Sequence, residues 1–206
     1  MIRMGLIATA LAAWLSFGSA QADEIRIGTV SGITGPLSMT TADILSITTG
    51  YLDMINAQGG VNGNTLKLFT RDDGYDPKKT AELVEDIVAK DKVVALVNGA
   101  GTANTAALIK AGVLTKHQLP LVGVYSGSEA IRGPGSEQIF HTRVTYNEEI
   151  AKIARMVSTL GLKRVAVLYQ DDGFGAGIIE SVTKFSEVSK FDIVQKTKYK
   201  AGEQNF

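Results

Sequence analysis

Hydroxyl side chains follow two of the apolar runs of the chain and could bind a small charged molecule. Thr102 comes after Gly99-Ala100-Gly101, and Ser126-Gly127-Ser128 follows the run that ends at Val124. A hydroxyl can donate a hydrogen bond to a carboxylate or accept one from an ammonium, and a neighbouring glycine lets backbone N–H groups approach closely. Such a wall suits a zwitterion, although Ser, Thr and Gly most commonly make turns and caps.

A third segment, residues 170–175, follows a later apolar run and contains an aromatic residue between two glycines. Phe174 is flanked by Gly173 and Gly175, an awkward place for a core side chain, so it could close over a bound ligand. It could equally be the first buried residue of a helix. Asp171 and Asp172 could likewise be solvated residues that cap that helix. The sequence leaves both interpretations open.

Residues for catalysis or metal binding are not arranged in any pattern that predicts a reaction. Residues 99–104 imitate the start of a dinucleotide fingerprint, but the third glycine is missing and the segment follows the third predicted strand. Phosphate-loop and nucleophile-elbow motifs are absent from the sequence, which also lacks cysteine. Neither His117 nor His141 adjoins a credible nucleophile, and residues 72–76 lack EF-hand spacing. We therefore expect no enzyme activity, cofactor or metal.

Strands and helices alternate along the part of the chain that would position the hydroxyl clusters. Short apolar runs predict strands at 25–30, 65–70, 93–97 and 119–124. Helical spacing of apolar residues follows the first strand, Asp76-Pro77 starts a second helix, and a small-residue helix begins near Ala103. This alternation predicts an open, doubly wound parallel sheet with helices on both faces. Ligands bind such sheets outside the carboxyl ends of the strands.

A second unit of the same kind begins after residue 141. Thr145 and Glu148 form a capping box for a helix that ends at Gly161, and a strand at 164–169, another helix and a strand at 193–199 follow. Two strands are usually too few for an independently stable sheet. We therefore expect a first α/β lobe at 23–141 and, at 142–206, only the start of a second lobe.

The amino terminus and the composition indicate export. A signal peptide over residues 1–22 is predicted by the basic Arg3, an apolar run at 6–17 and the small-residue cleavage site Ala20-Gln21-Ala22. The apolar run is too short for a transmembrane helix, which needs roughly 20 residues to span a bilayer. The 21 basic residues balance the 21 acidic ones, which argues against nucleic acid or an anionic membrane surface as partner. Without cysteine the protein has no disulfide and no lipidated cysteine. Free diffusion in a periplasm is the expected location.

Several motifs of this chain are similar to those of one known family. They are residues 33–36 (I-T-G-P), 56–63 (N-A-Q-G-G-V-N-G), 72–77 (D-D-G-Y-D-P), 125–128 (Y-S-G-S) and 169–175 (Y-Q-D-D-G-F-G). On these motifs the chain resembles the type I periplasmic binding proteins of the branched-chain amino acid uptake group. The resemblance implies two α/β lobes, joined by three crossover segments, that close over a solute and dock on an ABC permease in the inner membrane.

The resemblance also implies roles for particular residues. Thr102 matches a hydroxyl ligand, the segment Ser126-Gly127-Ser128 matches one that binds the charged ends of an amino acid, and Phe174 matches an aromatic cover. Met39-Thr40-Thr41 stands where relatives often have an aromatic residue, and the family's acidic partner for the ammonium lies beyond Phe206. The identity of the bound amino acid or other small carboxylate is therefore left open.

We expect the binding protein to be a monomer. Two other functions are the alternatives to solute uptake: the ligand-binding sensory domain of a receptor and, less favoured, an exported α/β enzyme.

Overall fold

A computed structural model describes residues 23–203 of the chain. The predicted signal peptide lies outside these residues. Within them, no helix combines the length and apolar character needed to cross a membrane.

Seven strands and six helices make up the described chain. In chain order they are β1 (Glu24–Ser31), α1 (Ser38–Ala57), β2 (Thr65–Asp72), α2 (Pro77–Asp91), β3 (Ala95–Val97), α3 (Thr102–Ala111), α4 (Val113–Lys116), β4 (Leu121–Val122), β5 (Ile139–Phe140), α5 (Tyr146–Thr159), β6 (Arg164–Gln170), α6 (Gly173–Ser189) and β7 (Asp192–Tyr199). Short 3-10 turns lie at Gly35–Leu37 and Glu129–Ile131.

The first five strands form one parallel sheet in the order β2-β1-β3-β4-β5. We call this sheet and its helices the first unit. The predicted α/β fold is confirmed, and the sheet contains a fifth strand, β5, that the sequence did not indicate. Chain order reverses between β1 and β3, so the loops after these strands diverge and leave a crevice at the carboxyl edge.

The core of the first unit lies between the sheet and the helices α2, α3 and α4. Val84 and Ile87 of α2 are fully buried against Leu96 of β3 and Leu108 of α3. Gly28 of β1 permits this packing, because a Cβ there would lie 2.8 Å from Leu96 Cδ2. Val84 and Ile87 lie three residues apart, so both point from the same face of α2 into the core.

A polar contact within the N-A-Q-G-G-V-N-G motif joins helix α1 to β2. The Asn56 side chain donates to Leu66 O at 2.8 Å and accepts from Leu66 N at 2.7 Å, as a neighbouring strand would. The apolar spacing of α1 predicted a helix, which is confirmed, but Ile47 is 73% exposed and Tyr51 60% exposed. The periodic spacing of apolar residues therefore located the apolar face of α1, but it did not predict that part of this face is exposed.

The remaining elements form a second unit, in which α5 and α6 pack beside the parallel pair β6 and β7. Its core consists of Ile150, Ala154, Val182 and Phe191. The predicted capping box is present, since Thr145 Oγ1 accepts from Glu148 N while Glu148 accepts from Thr145 N. Gly161 follows this helix with a φ of 71°, a left-handed conformation typical of a residue that ends a helix.

Candidate functional site

A cavity of about 330 Å³ lies between the two units, at the carboxyl edge of the first sheet. Residues from both units form its walls. They are Leu37, Tyr75, Gly101, Thr102, Tyr125, Arg143, Tyr146, Glu149, Ile150, Ile153, Gln170, Phe174 and Ile178. Most of these side chains are apolar or aromatic, with a few polar groups among them, which is the usual character of a small-molecule site.

The turn after β2 is built by aspartates that accept hydrogen bonds inside the protein. Asp73 is fully buried and accepts from Tyr75 N at 2.8 Å, from Thr80 Oγ1 at 2.8 Å and from Asn104 Nδ2 at 3.0 Å. Asp76 caps α2 by accepting from Lys78 N, as the sequence predicted. The D-D-G-Y-D-P motif thus joins β2 to α2 and α3.

This turn projects Tyr75 into the cleft. Tyr75 has a φ of 64°, and its ring lies so close to Gly101 that a Cβ added there would be 2.7 Å from Tyr75 Cε2. Its hydroxyl accepts a 3.3 Å hydrogen bond from Gln170 Nε2 of the second unit. Burial raises the pKa of this phenol above its ordinary value. Tyr75 therefore connects the two walls of the cavity.

Thr102, Ser126 and Ser128, which we call the strand-end hydroxyl cluster, lie together beside the cavity. Thr102 Oγ1 and Ser126 Oγ share a 2.8 Å hydrogen bond. Ser126 Oγ also accepts from Ser128 N at 3.2 Å, and Ser128 Oγ accepts from Ala130 N at 3.3 Å. All three are buried, and only Thr102 contributes to the cavity wall. Their hydroxyls therefore already have partners within the protein.

Tyr146 at the start of α5 packs against this cluster. Its backbone N donates to Gly127 O at 2.7 Å, and its hydroxyl donates to Ser126 Oγ at 3.4 Å. A Cβ added at Gly127 would lie 2.7 Å from the Tyr146 ring, so only glycine fits there without a shift of this ring. Gly127 thus brings the aromatic side chain against the strand-end hydroxyl cluster.

Phe174 lies in the first turn of α6 and faces the cavity from the second unit. Asp172 caps this helix by accepting from Phe174 N at 2.9 Å and from Gly175 N at 3.2 Å. The Phe174 ring meets Tyr146 edge to face, with centroids 5.5 Å apart. Phe174 is partly buried, packs on its neighbour Tyr146 and also lines the cavity.

Arg143 supplies the positive charge of the cavity wall. Its guanidinium carbon lies 5.4 Å from the ring centroid of Tyr125 and 5.7 Å from that of Tyr146, and Nη2 donates to Glu149 Oε1. Arg132 Nη2 fixes the local backbone by donating to Arg143 O at 2.9 Å. Burial alone would lower the pKa of Arg143, but hydrogen bonding and attraction to Glu149 raise it above its ordinary value.

A model of the periplasmic binding proteins matches residues 24–206. The chain belongs to this family. Its α/β units and the position of the cavity between them agree with that assignment, and the expected fold class of type I periplasmic binding proteins is thereby confirmed.

Relatives of this periplasmic binding protein include a Leu/Ile/Val-binding protein homolog from Brucella melitensis, 25% identical over 85% of the chain and 47% of the relative. A substrate-binding periplasmic protein from Ralstonia solanacearum has a TM-score of 0.83 and 31% identity over 88% of the chain and 51% of its own. A branched-chain amino acid transporter substrate-binding protein from Streptococcus pneumoniae, in complex with isoleucine, has a TM-score of 0.76 and 26% identity, covering 89% and 52%. The chain spans about half the length of the curated relatives it matches.

The structure of this periplasmic binding protein brings the residues predicted from sequence into one neighbourhood. Thr102 and Phe174 line the cavity, whereas the segment Ser126-Gly127-Ser128 contacts the lining residues Thr102 and Tyr146. Sequence reasoning missed Tyr75, Arg143 and Glu149. The only signals for them were the strand-end position of Tyr75 and the position of Arg143 in the crossover between units, and neither signal fixes the direction of a side chain. Within residues 23–203, no group of three acidic or histidine side chains could hold a metal ion.

Proposed function

We propose that the protein captures a small solute, an amino acid or a similar carboxylate, between its two units and delivers it to an ABC-type permease. The observation that carries this proposal is the cavity of about 330 Å³, whose walls come from both units at the carboxyl edge of the first sheet. Doubly wound sheets bind ligands at this edge. The volume lies near the lower end of the ~300–1,000 Å³ usual for small-molecule sites.

The relatives support an amino acid as the class of solute. One is called a Leu/Ile/Val-binding protein homolog, and another contains isoleucine. This chain spans about half the length of such proteins. We therefore propose, for the whole protein, that an ABC permease is its partner and that it is a monomer in the periplasm once the signal peptide has been removed.

Contacts across the cleft support closure of one unit over the other. A Cβ added at Gly173 would lie 3.6 Å from Thr102 Cγ2, and one added at Gly177 would lie 3.6 Å from Ser128 Oγ. These short distances place α6 beside the strand-end hydroxyl cluster, and the hydrogen bond from Gln170 of β6 to Tyr75 also crosses the cleft. We propose that Thr102 and Phe174 contact the solute directly, and that the segment Ser126-Gly127-Ser128 holds the lining residues Thr102 and Tyr146 in place for it. We further propose that the lobes meet near residue 141 and that the solute stabilises this closed state.

A thermal-shift screen of the whole protein against the twenty amino acids and simple carboxylates tests the proposal. A solute that binds only the folded form raises the melting temperature, by an amount set by its concentration relative to Kd. We expect at least one amino acid to do so. In Phe174→Ala this shift should shrink markedly, whereas Tyr51→Ala, which removes an exposed aromatic outside the cavity, should retain it. A screen with no shift for any solute would overturn the proposal.

A further inference from the structure

We propose that Arg143 and Glu149 bind the carboxylate and the ammonium of an amino acid, and that the surrounding rings select one with an aromatic side chain. This inference rests on the proposed function, which it makes more specific. It follows from three features of the cavity wall: a partly exposed ion pair, a group of aromatic side chains, and the neutral total charge of the wall.

The ion pair presents both of its partners to the cavity. Arg143 and Glu149 each line the wall, and their side chains are 31% and 32% exposed. A guanidinium has five N–H donors in a planar fork, and the bond to Glu149 uses one of them. A ligand carboxylate can therefore pair with Arg143 while Glu149 keeps its own bond.

Charge balance favours a zwitterion over a simple acid. Arg143 and Glu149 are the only charged residues among those that line the cavity, so the described wall has no net charge. A carboxylate bound alone would add an unpaired negative charge beside Glu149 in a largely apolar space, which costs free energy. An amino acid brings an ammonium for Glu149 together with a carboxylate for Arg143, so every charge has a partner.

The aromatic lining favours a ring on the ligand. Tyr75, Tyr125, Tyr146 and Phe174 all contribute to the wall. Tyr146 and Phe174 already pack edge to face, and aromatic pairs are favourable beyond the area they bury. Tyr125 and Tyr146 also hold the guanidinium of Arg143 near their rings, so the charged and aromatic parts of the wall adjoin. An aliphatic side chain would fill this space without making such pairs.

Calorimetric titration of the whole protein with a matched ligand series tests the inference. Phenylalanine should bind about tenfold more tightly than leucine, and also more tightly than cyclohexylalanine, which keeps the head group but lacks the aromatic ring. Removing one charge from the ligand, as in 3-phenylpropanoate or phenethylamine, should weaken binding about ten- to a hundredfold.

Substitutions then assign each charge to its residue. Arg143→Gln should weaken phenylalanine about ten- to a hundredfold yet leave phenethylamine, which has no carboxylate, nearly unchanged. Glu149→Gln should weaken phenylalanine and spare 3-phenylpropanoate. A merely structural role of the ion pair would weaken all ligands alike. Arg155→Gln, an exposed arginine of α5 outside the cavity wall, is the matched control and should bind phenylalanine as the unmodified protein does.

The possible outcomes separate this inference from the function on which it rests. Binding of leucine, isoleucine or valine with no binding of aromatic amino acids would overturn the inference and leave the proposed function intact. Equal losses for phenylalanine and phenethylamine in Arg143→Gln would overturn the role of Arg143 in binding the carboxylate. If only simple carboxylates bind, the inference fails and the proposed function stands; if neither an amino acid nor a simple carboxylate binds, both fail.

Discussion

Asp73 and Arg143 are both charged residues close to the cleft, but they differ in where their hydrogen-bonding groups point. Asp73 is fully buried and accepts from three different residues of the first unit. Arg143 lines the cavity and keeps donors beyond its bond to Glu149. Polar residues near this cavity therefore belong to two groups. Those satisfied inside the protein hold the wall in shape, and those facing the cavity are available to a solute.

This distinction predicts that substitutions in the two groups change different quantities. Loss of an internally bonded group should lower the free energy of unfolding, because its buried partners are left unpaired. Loss of a group facing the cavity should chiefly lower affinity.

Asp73→Ala should produce the largest loss of stability. The part-buried Tyr75 N and the buried donors of Thr80 and Asn104 would lose the Asp73 carboxylate as acceptor, so we expect a decrease of about 3 kcal/mol or more in the free energy of unfolding. Urea denaturation followed by circular dichroism measures it. Asp76→Ala, which removes only the cap of α2, is the control and should cost about 1 kcal/mol. If Asp73→Ala costs no more than this control, the turn after β2 does not depend on the buried network.

Ser126→Ala should lower the free energy of unfolding by about 1–3 kcal/mol. Its hydroxyl is buried, bonds Thr102 and accepts from Ser128 N, so its removal leaves that backbone N–H without this partner. Chemical denaturation checks the value. Ser136→Ala removes an exposed hydrogen bond to Gly133 O and should change stability by less than about 0.5 kcal/mol. Equal effects of the two substitutions would show that burial of the hydroxyl does not matter.

His141 should contribute the smallest effect, a dependence of stability on pH. Burial, and to a smaller extent the positive charge of Arg132, lowers the pKa of His141 below its ordinary value of 6.5. The unfolded chain therefore takes up a proton at higher pH than the folded protein does. This contribution is constant above about pH 6.5, and stability falls as the pH drops from there to the folded pKa, by at most about 1.4 kcal/mol per pH unit.

Denaturation at a series of pH values, compared between His141→Gln and the unmodified protein, isolates this contribution. We expect the substitution to flatten the decline in stability below about pH 6.5. His117→Gln, which removes the other histidine, leaves His141 in place and should keep its part of the decline. An unaltered pH profile in His141→Gln would contradict the assignment.

The sequence predicted the local features of the fold well, because their causes lie within a few residues. Asp76-Pro77 and the pair Thr145 and Glu148 start helices through contacts of neighbouring residues, and both starts are present. Strand β5 contains only Ile139 and Phe140, which is too short to produce a periodic signal. It forms because β4 offers a parallel neighbour, and this pairing is a property of the assembled sheet.

The candidate site was predictable only in part. The rule that ligands bind at strand ends selected Thr102 and Phe174, and both line the cavity. It could not separate Thr102 from Ser126 and Ser128, because hydroxyls at strand ends look alike until their partners are known. Arg143 escaped notice because its position in the cavity depends on Arg132 and Glu149, which lie several residues away in the chain.

A crystal structure of the whole protein with the amino acid that gives the largest thermal shift would show whether the cavity between the units is the binding site. We expect the solute to occupy this cavity, in contact with Thr102 on one side and Phe174 on the other. A solute bound elsewhere, with this cavity filled by water, would contradict this expectation.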